Sequence, residues 1–205
     1  DGNAKTITGR TLGEDLERIT YDKDSLLKSG VISPFDKPKL DRGHLILLDG
    51  NLGKGWTKVS GTGLTQYEGR AVVFNSQEDF LANWNQRVKG EGDFVVIRYE
   101  GPKSSPGCPE MLKPTTLLTG KYGKEARIGL MTDGRFSGGS CGGAPIIGHL
   151  TEAEDHGLIG IIKDGDKIIA DPSQNKLALS ISDEEIESRL EFYGRAYDRL
   201  PEQVK

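Results

Sequence analysis

Residues 71–99 read AVVFNSQEDFLANWNQRVKGEGDFVVIRY, and the succession of patterns inside them decides the kind of fold. Ala71 to Phe74 is a short apolar run of the sort that buried strands use. Ser76 then precedes two acids, Glu78 and Asp79, and Phe80, Trp84 and Val88 follow at every fourth position. That spacing is one helical face behind a serine cap. Phe94 to Tyr99 is a second apolar run. Strand, helix, strand in this order predicts a crossover between two parallel strands.

Outward from this unit, Leu45 to Leu48, Ile128 to Met131 and Leu158 to Ile162 are further apolar runs between glycine turns, and each is expected to be a strand. Near the end, DGDKIIADPSQNKLALSIS offers two strands joined by a proline and asparagine turn. Ser182 then caps an acid-headed helix, DEEIESRLEFYGRAYDRL. This closing part is antiparallel with a helical cover. At the other end, Leu12, Leu16 and Ile19 behind Thr11 predict a short amphipathic helix, and Val31 to Leu40 is a polar stretch holding Pro34 and Pro38. Residues 1–40 are therefore expected to be an arm or tail, and residues 41–205 one mixed α/β domain with parallel and antiparallel sheet parts.

Composition narrows the function. Hydrophobic residues make up 35% of 205 positions, enough for one packed interior, and no apolar run reaches the ~18 residues that span a bilayer. A net charge of -4 without a basic stripe argues against nucleic acid as the partner. Two cysteines, Cys108 and Cys141, make neither a disulfide framework nor a cluster site by themselves, and the opening DGNAKTITGRTLGEDLE has no apolar signal region. An intracellular setting, cytoplasmic or organellar, is expected. Glycine, at 28 residues, is about twice its usual share and marks tight turns.

The unusual chemistry lies in two segments that each follow an expected strand, EGPKSSPGCPEM at residues 100–111 and TDGRFSGGSCGG at residues 132–143. Loops at strand ends commonly carry ligands. Asp133, Arg135 and Ser137 alternate with Gly134, Gly138 and Gly139, a composition suited to a nest of backbone N–H groups around an anion, or to a plain tight turn. Ser137 does not stand in a Gly-x-Ser-x-Gly elbow, because position 135 is Arg. To act as a base it must ionise, which requires a metal, positive charge or several N–H donors. Glu110 can offer a hard cation its oxygens, or serve as an acid in the first turn of a helix. Lys103 reads either as a solvated loop tip or as a cation for a carboxylate.

Other candidates are weaker. Gly53 to Trp56, GKGW, is no phosphate loop, since Leu48 and Trp56 occupy its glycine and hydroxyl positions, and Gly61 and Gly63 lack the third glycine of a dinucleotide turn. His44, His149 and His156 are scattered, and His149 is read as packed or capping. Both cysteines are read as small apolar side chains.

The two loops, in this order, resemble the C-terminal domain of the dihydroxy-acid and 6-phosphogluconate dehydratase family. The resemblance rests on Arg98 to Lys103, Pro106-Gly107 with Pro109-Glu110-Met111, Thr132 to Gly139, Gly148-His149 and the Lys163 to Asp166 turn, with weaker agreement at Gly50 to Leu52 and Thr8 to Leu12. Details lean toward the dihydroxy-acid branch. The family implies a swivelling β/β/α domain with barrel-like sheets and flanking helices. It also implies that this chain is the C-terminal part of a longer hydro-lyase and inactive alone, with residues 1–40 the tail of the preceding cluster domain.

The activity implied is dehydration of a small 2,3-dihydroxy acid to a 2-oxo acid in branched-chain amino-acid biosynthesis. Glu110 falls on the family's magnesium-ligand glutamate, and Ser137, 27 positions later (137 minus 110), on its proposed catalytic base. Mg2+ is then shared with the N-terminal cluster domain, the iron-sulfur cluster lies in that domain, and the full-length enzyme is a homodimer. Ser104-Ser105 and Cys108 stand where the family commonly has Gly-Gly and Met, and Cys141-Gly142 replaces a frequent His-Gly. A sugar-acid dehydratase domain (aldonate or 6-phosphogluconate) and a non-catalytic module that binds anions or a partner therefore stay open as alternatives.

Overall fold

The computed structural model describes residues 1–39, 43–59, 66–137, 143–151, 153 and 157–198, leaving aside the side chains of residue 23 and residues 195–198. The chain divides into two units, Asp1–Gly43 and His44–Lys205.

In the first unit, α1 (Leu12–Glu17) is opened by a reciprocal cap. The Glu14 N–H donates to the Thr11 hydroxyl at 3.2 Å, and the Thr11 N–H donates to the Glu14 carboxylate at 2.7 Å. Asp15 draws in Thr6, Arg10 and Thr8, and these bonds hold its carboxyl below the usual range. A second short helix, α2 (Lys23–Lys28), is capped by Asp22. Its six residues carry no apolar stripe, so sequence periodicity passes over it.

The second unit is built on β1 (Leu45–Leu48), β2 (Gly55–Lys58), β3 (Tyr67–Phe74), β4 (Asp93–Ile97), β5 (Gly129–Thr132), β6 (Ile146–Gly148), β7 (Lys167–Asp171) and β8 (Lys176–Leu179). Among the described residues these form one sheet in the order β1-β2-β6-β5-β4-β3-β7-β8. The centre, β3-β4-β5-β6, is parallel, and the flanks are antiparallel. The crossover helix α3 (Gln77–Arg87) starts where Ser76 accepts the Asp79 N–H, and the parallel β3–β4 pair follows. The mixed fold and the closing antiparallel hairpin, with Asn175 at φ 55° in its turn and α5 (Asp183–Asp198) after it, stand as the sequence indicated.

The two outer strands nearly meet and curl the sheet into a barrel. Asp49 donates its N–H to the Asn175 carbonyl at 2.8 Å and accepts from the Leu177 N–H at 3.0 Å. The Asn51 carboxamide continues this seam, donating to the Leu179 carbonyl at 2.9 Å and accepting the Leu179 N–H at 2.7 Å. Between them Gly50 is obligatory, since a Cβ there would stand 1.9 Å from the Leu177 carbonyl oxygen.

All five residues of β4 are buried because both of its faces are covered. Phe94 and Val96 join Val73, Met131, Ile147, Ile168 and Leu177 in one core, while Val95 and Ile97 join Phe74, Phe80 of α3 and Leu118 of α4 (Leu112–Tyr122) in another. Two-faced burial is why these strands read as continuous apolar runs rather than alternation.

Three expectations need correction. Leu158–Ile161 is a turn of 3-10 helix rather than a strand. Ile159 and Ile161 are buried, and Gly160 lies so close to Tyr193 of α5 that a Cβ would meet the ring at 2.9 Å. A short apolar run does not by itself distinguish these two ways of being buried. Conversely, β2 and β6 were not anticipated, being four and three residues long and flanked by glycine or proline. Finally, α4 begins at Leu112 with Met111 as its cap, so Glu110 precedes the helix and is not one of its first-turn acids. Among the described residues no helix is long and apolar enough to cross a membrane.

Candidate active site

Strands β4 and β5 are parallel neighbours whose last residues, Ile97 and Thr132, are in register. The chain segments that leave them, residues 98–111 and 133–137, therefore emerge side by side at the carboxyl edge of the sheet, where α/β proteins place ligands. Four groups of contacts hold these segments in place.

Asp133 is turned inward and is only 2% exposed. Its Oδ1 accepts the Glu100 N–H at 2.9 Å, and its Oδ2 accepts the N–H groups of Tyr99 and Ala153, each at 3.0 Å. Tyr99 is thereby held at φ 65°, a conformation uncommon for a non-glycine residue. Next, Gly134 donates to the Thr132 hydroxyl at 2.9 Å and accepts the His149 N–H at 2.9 Å.

Glu110 and Arg135 then form an isolated parallel bridge. The Met111 N–H donates to the Arg135 carbonyl at 3.0 Å, and the exposed Arg135 side chain returns to donate from Nε to the Cys108 carbonyl at 2.7 Å. The outcome is the fourth contact: Ser137 donates its N–H at 3.1 Å and its hydroxyl at 3.0 Å to the same oxygen, Oε1, of Glu110.

Ser137 also lines a cavity of about 310 Å³ whose walls are Leu45, Trp56, Phe136 and Ile146, with Gly148, Lys58 and His149 completing the lining. Gly148 sits against Phe136, and a Cβ there would meet the Phe136 ring at 2.9 Å. His149, read from sequence as packed or capping, is exposed at φ 53° and lines this cavity. The position of its imidazole follows from β6, the short strand that the sequence did not reveal.

Lys103 lies on the exposed surface of the first loop and is not among the residues lining the cavity. Gly138, Gly139, Cys141 and His156 lie outside the described residues. A second cavity of about 510 Å³ lies between Arg98, Tyr99 and α5. Its arginines are engaged, Arg98 with the Gly160 and Ile162 carbonyls and Arg189 with Asp166 and Glu185.

Glu100, quoted above only as part of a loop, is a buried carboxylate that accepts the Gln77 N–H at the start of α3. Burial pushes its pKa up, with the negative charges of Glu78 and Asp133 adding to the rise against the bonds from Gln77 and Ser105. It ties the loop to the crossover helix.

The donor chemistry is suited to one hard cation contact. Glu110 presents carboxylate oxygens beside a hydroxyl, as Mg2+ prefers, yet among the described residues no three His, Cys, Asp or Glu side chains converge. Glu110 can thus supply one ligand of a larger set. Among the described residues an iron-sulfur cluster finds no thiolate set, since Cys108 is the one cysteine there.

Comparison with known proteins shows the family of the chain. Residues 30–203 match the family described as dihydroxy-acid/6-phosphogluconate dehydratase C-terminal. Dihydroxy-acid dehydratase of Francisella tularensis is 42% identical over 191 residues, covering 92% of this chain and 34% of that protein. The mitochondrial dihydroxy-acid dehydratase of Saccharomyces cerevisiae is 44% identical over 193 residues, 92% of this chain and 32% of its own. That of Chromohalobacter salexigens is 41% identical over 201 residues, 97% and 34% respectively. The chain thus spans about a third of the length of these relatives. With a match that takes in both loops and nearly the whole barrel, this chain belongs to the dihydroxy-acid/6-phosphogluconate dehydratase C-terminal family.

Proposed function

We propose that this chain is the C-terminal part of a hydro-lyase that converts a 2,3-dihydroxy acid into a 2-oxo acid, in branched-chain amino-acid biosynthesis. The observation that carries the reading is the contact between Ser137 and Glu110, two residues 27 positions apart that the loops bring within 3.0 Å. In the reaction the C2–H bond breaks and its proton goes to a base, the C3–O bond breaks and the hydroxyl takes up a proton to leave as water, and the enol so formed loses its O–H proton as it gains one at C3, giving the 2-oxo acid. Ser137 is the base at C2. Its Oγ works only after the hydroxyl proton, now donated to Glu110, has passed to solvent.

Glu110 would contribute one oxygen to Mg2+, with the other ligands supplied from beyond the described residues. Bound there, Mg2+ supplies positive charge that orients the substrate carboxylate and C2 hydroxyl and lowers the cost of an alkoxide at Ser137. The iron-sulfur cluster of the enzyme is assigned to the part preceding this chain, and so is release of the C3 hydroxyl. Arg135 and Lys103, exposed on the two loops, would draw the anionic substrate toward the site.

The cavity favours the branched-chain substrate over a sugar acid. Leu45, Trp56, Phe136 and Ile146 suit a small alkyl group, whereas the further hydroxyls of an aldonate would be desolvated against apolar walls. A purely binding module has no need of a hydroxyl and carboxylate joined in this way.

The test compares the full-length protein and the isolated chain on 2,3-dihydroxyisovalerate with Mg2+, measuring the 2-oxo acid. Turnover is expected from the first and not from the second. Turnover of aldonates or 6-phosphogluconate alone would transfer the assignment to the sugar-acid branch, and activity in the isolated chain would refute the need for the preceding part.

A further inference from the structure

We propose that Asp133 is the positioning residue of this site: it touches no substrate, but it sets the distance between Glu110 and Ser137 by clamping the loop that carries one to the loop that carries the other. The inference rests on the reading of Glu110 and Ser137 as the reactive pair, and it assigns Asp133 a place behind that pair rather than in an anion-binding nest.

Three observations lead there. Asp133 stands four residues before Ser137 and is 2% exposed, so its charge is withdrawn from solvent and from the cavity. It accepts three backbone N–H groups, at 2.9, 3.0 and 3.0 Å, of which two belong to Tyr99 and Glu100, where the chain turns into the Glu110 loop. The third, from Ala153, fixes the segment that follows His149, itself bonded through its N–H to Gly134. One carboxylate therefore joins the start of the Glu110 loop, the Ser137 loop and the segment that follows His149.

The residue type follows from hydrogen-bond arithmetic. Both oxygens are required as acceptors, Oδ1 for Glu100 and Oδ2 for Tyr99 and Ala153. Only an ionised carboxylate offers acceptors on both atoms. In asparagine one of the two becomes an NH2, which faces an N–H donor in either orientation. The clamp also maintains Tyr99 at φ 65°, from which the loop would otherwise relax. Beyond it, the Glu110–Arg135 bridge and the Arg135 bond to the Cys108 carbonyl transmit the alignment to Glu110.

The experiment uses the full-length enzyme with Asp133→Asn, and Ser137→Ala as the control for the underlying reading. Turnover, the Mg2+ concentration giving half-maximal activity, and direct binding of Mn2+ by electron paramagnetic resonance are measured together with thermal unfolding. Asp133→Asn is expected to fold, to lower kcat, and to weaken both the Mg2+ dependence and Mn2+ binding by about tenfold or more, as loss of a supporting contact behind a metal ligand does. A merely structural aspartate gives less folded protein whose remaining fraction keeps the parent kcat and Mn2+ affinity, and that result overturns the proposal.

If Asp133→Asn does not fold, it is combined with Tyr99→Gly, because glycine accepts φ 65° without the clamp. The double variant must then fold and show weakened Mn2+ binding. Failure of both to fold also overturns the proposal. Unchanged turnover in Ser137→Ala would instead reject the reactive pair, while the Mn2+ measurement continues to report whether Asp133 places Glu110.

Discussion

One oxygen of Glu110 receives both the N–H and the hydroxyl of Ser137, at 3.1 and 3.0 Å. The same carboxylate that suits a cation thus already orients the hydroxyl proposed as base. Charge placed on Glu110 and proton loss from Ser137 are coupled through a single bond.

Replacing Ser137 with Ala removes the base but leaves Glu110 and the loop bridge in place. In the full-length protein kcat is expected to fall by about 10²–10⁴, the usual worth of a general base, with KM changed little. Steady-state kinetics on 2,3-dihydroxyisovalerate supplies the check, and a parent-like kcat would remove Ser137 from the chemistry.

The barrel seam depends on a side chain acting as backbone. Asn51→Ala leaves the Leu179 N–H and carbonyl without their partners, at a cost of about 1–3 kcal/mol for each buried group left unpaired. For a protein of this size Tm should drop by about 2–4 °C per kcal/mol. Calorimetry on Asn51→Ala beside Asn51→Asp, which keeps the acceptor for the Leu179 N–H but sets a carboxylate oxygen against the Leu179 carbonyl, would show both variants less stable than the parent. Equal stability of all three would mean that the seam contributes nothing.

Glu100 makes stability depend on pH in a stated direction. Its carboxyl titrates above the ordinary glutamate value of 4.5 because burial penalises the charge. The stability it contributes is therefore complete below 4.5 and is lost as pH rises through its elevated folded value. Glu100→Gln keeps an oxygen for the Gln77 N–H and abolishes the titration. Its Tm relative to the parent should climb as pH increases across that window, and two parallel Tm curves would contradict the assignment.

Much of the architecture was legible before any coordinates. The serine cap and every-fourth-residue spacing from Ser76 to Val88 predicted α3 and its parallel strands, because both signals are local. The paired loops were legible through the Ser137 and Glu110 motifs. Leu158–Ile161 misled because an apolar run records burial and not strand pairing, and β2 and β6 were missed because short strands are defined by their neighbours.

By itself, the sequence indicated the elements with strong caps or periodicity, the lack of a net basic charge, and the two loops proposed to carry chemistry, since capping, periodicity and charge are properties of nearby residues. Only the tertiary structure decided that Asp133 faces inward while Ser137 lines a cavity, that His149 joins it, and that Glu110 lies 3.0 Å from a serine 27 positions away. Those relationships arise from the register of parallel strands and from the closing of the sheet, where distant segments satisfy one another's backbone hydrogen bonds, and no local pattern encodes such distances.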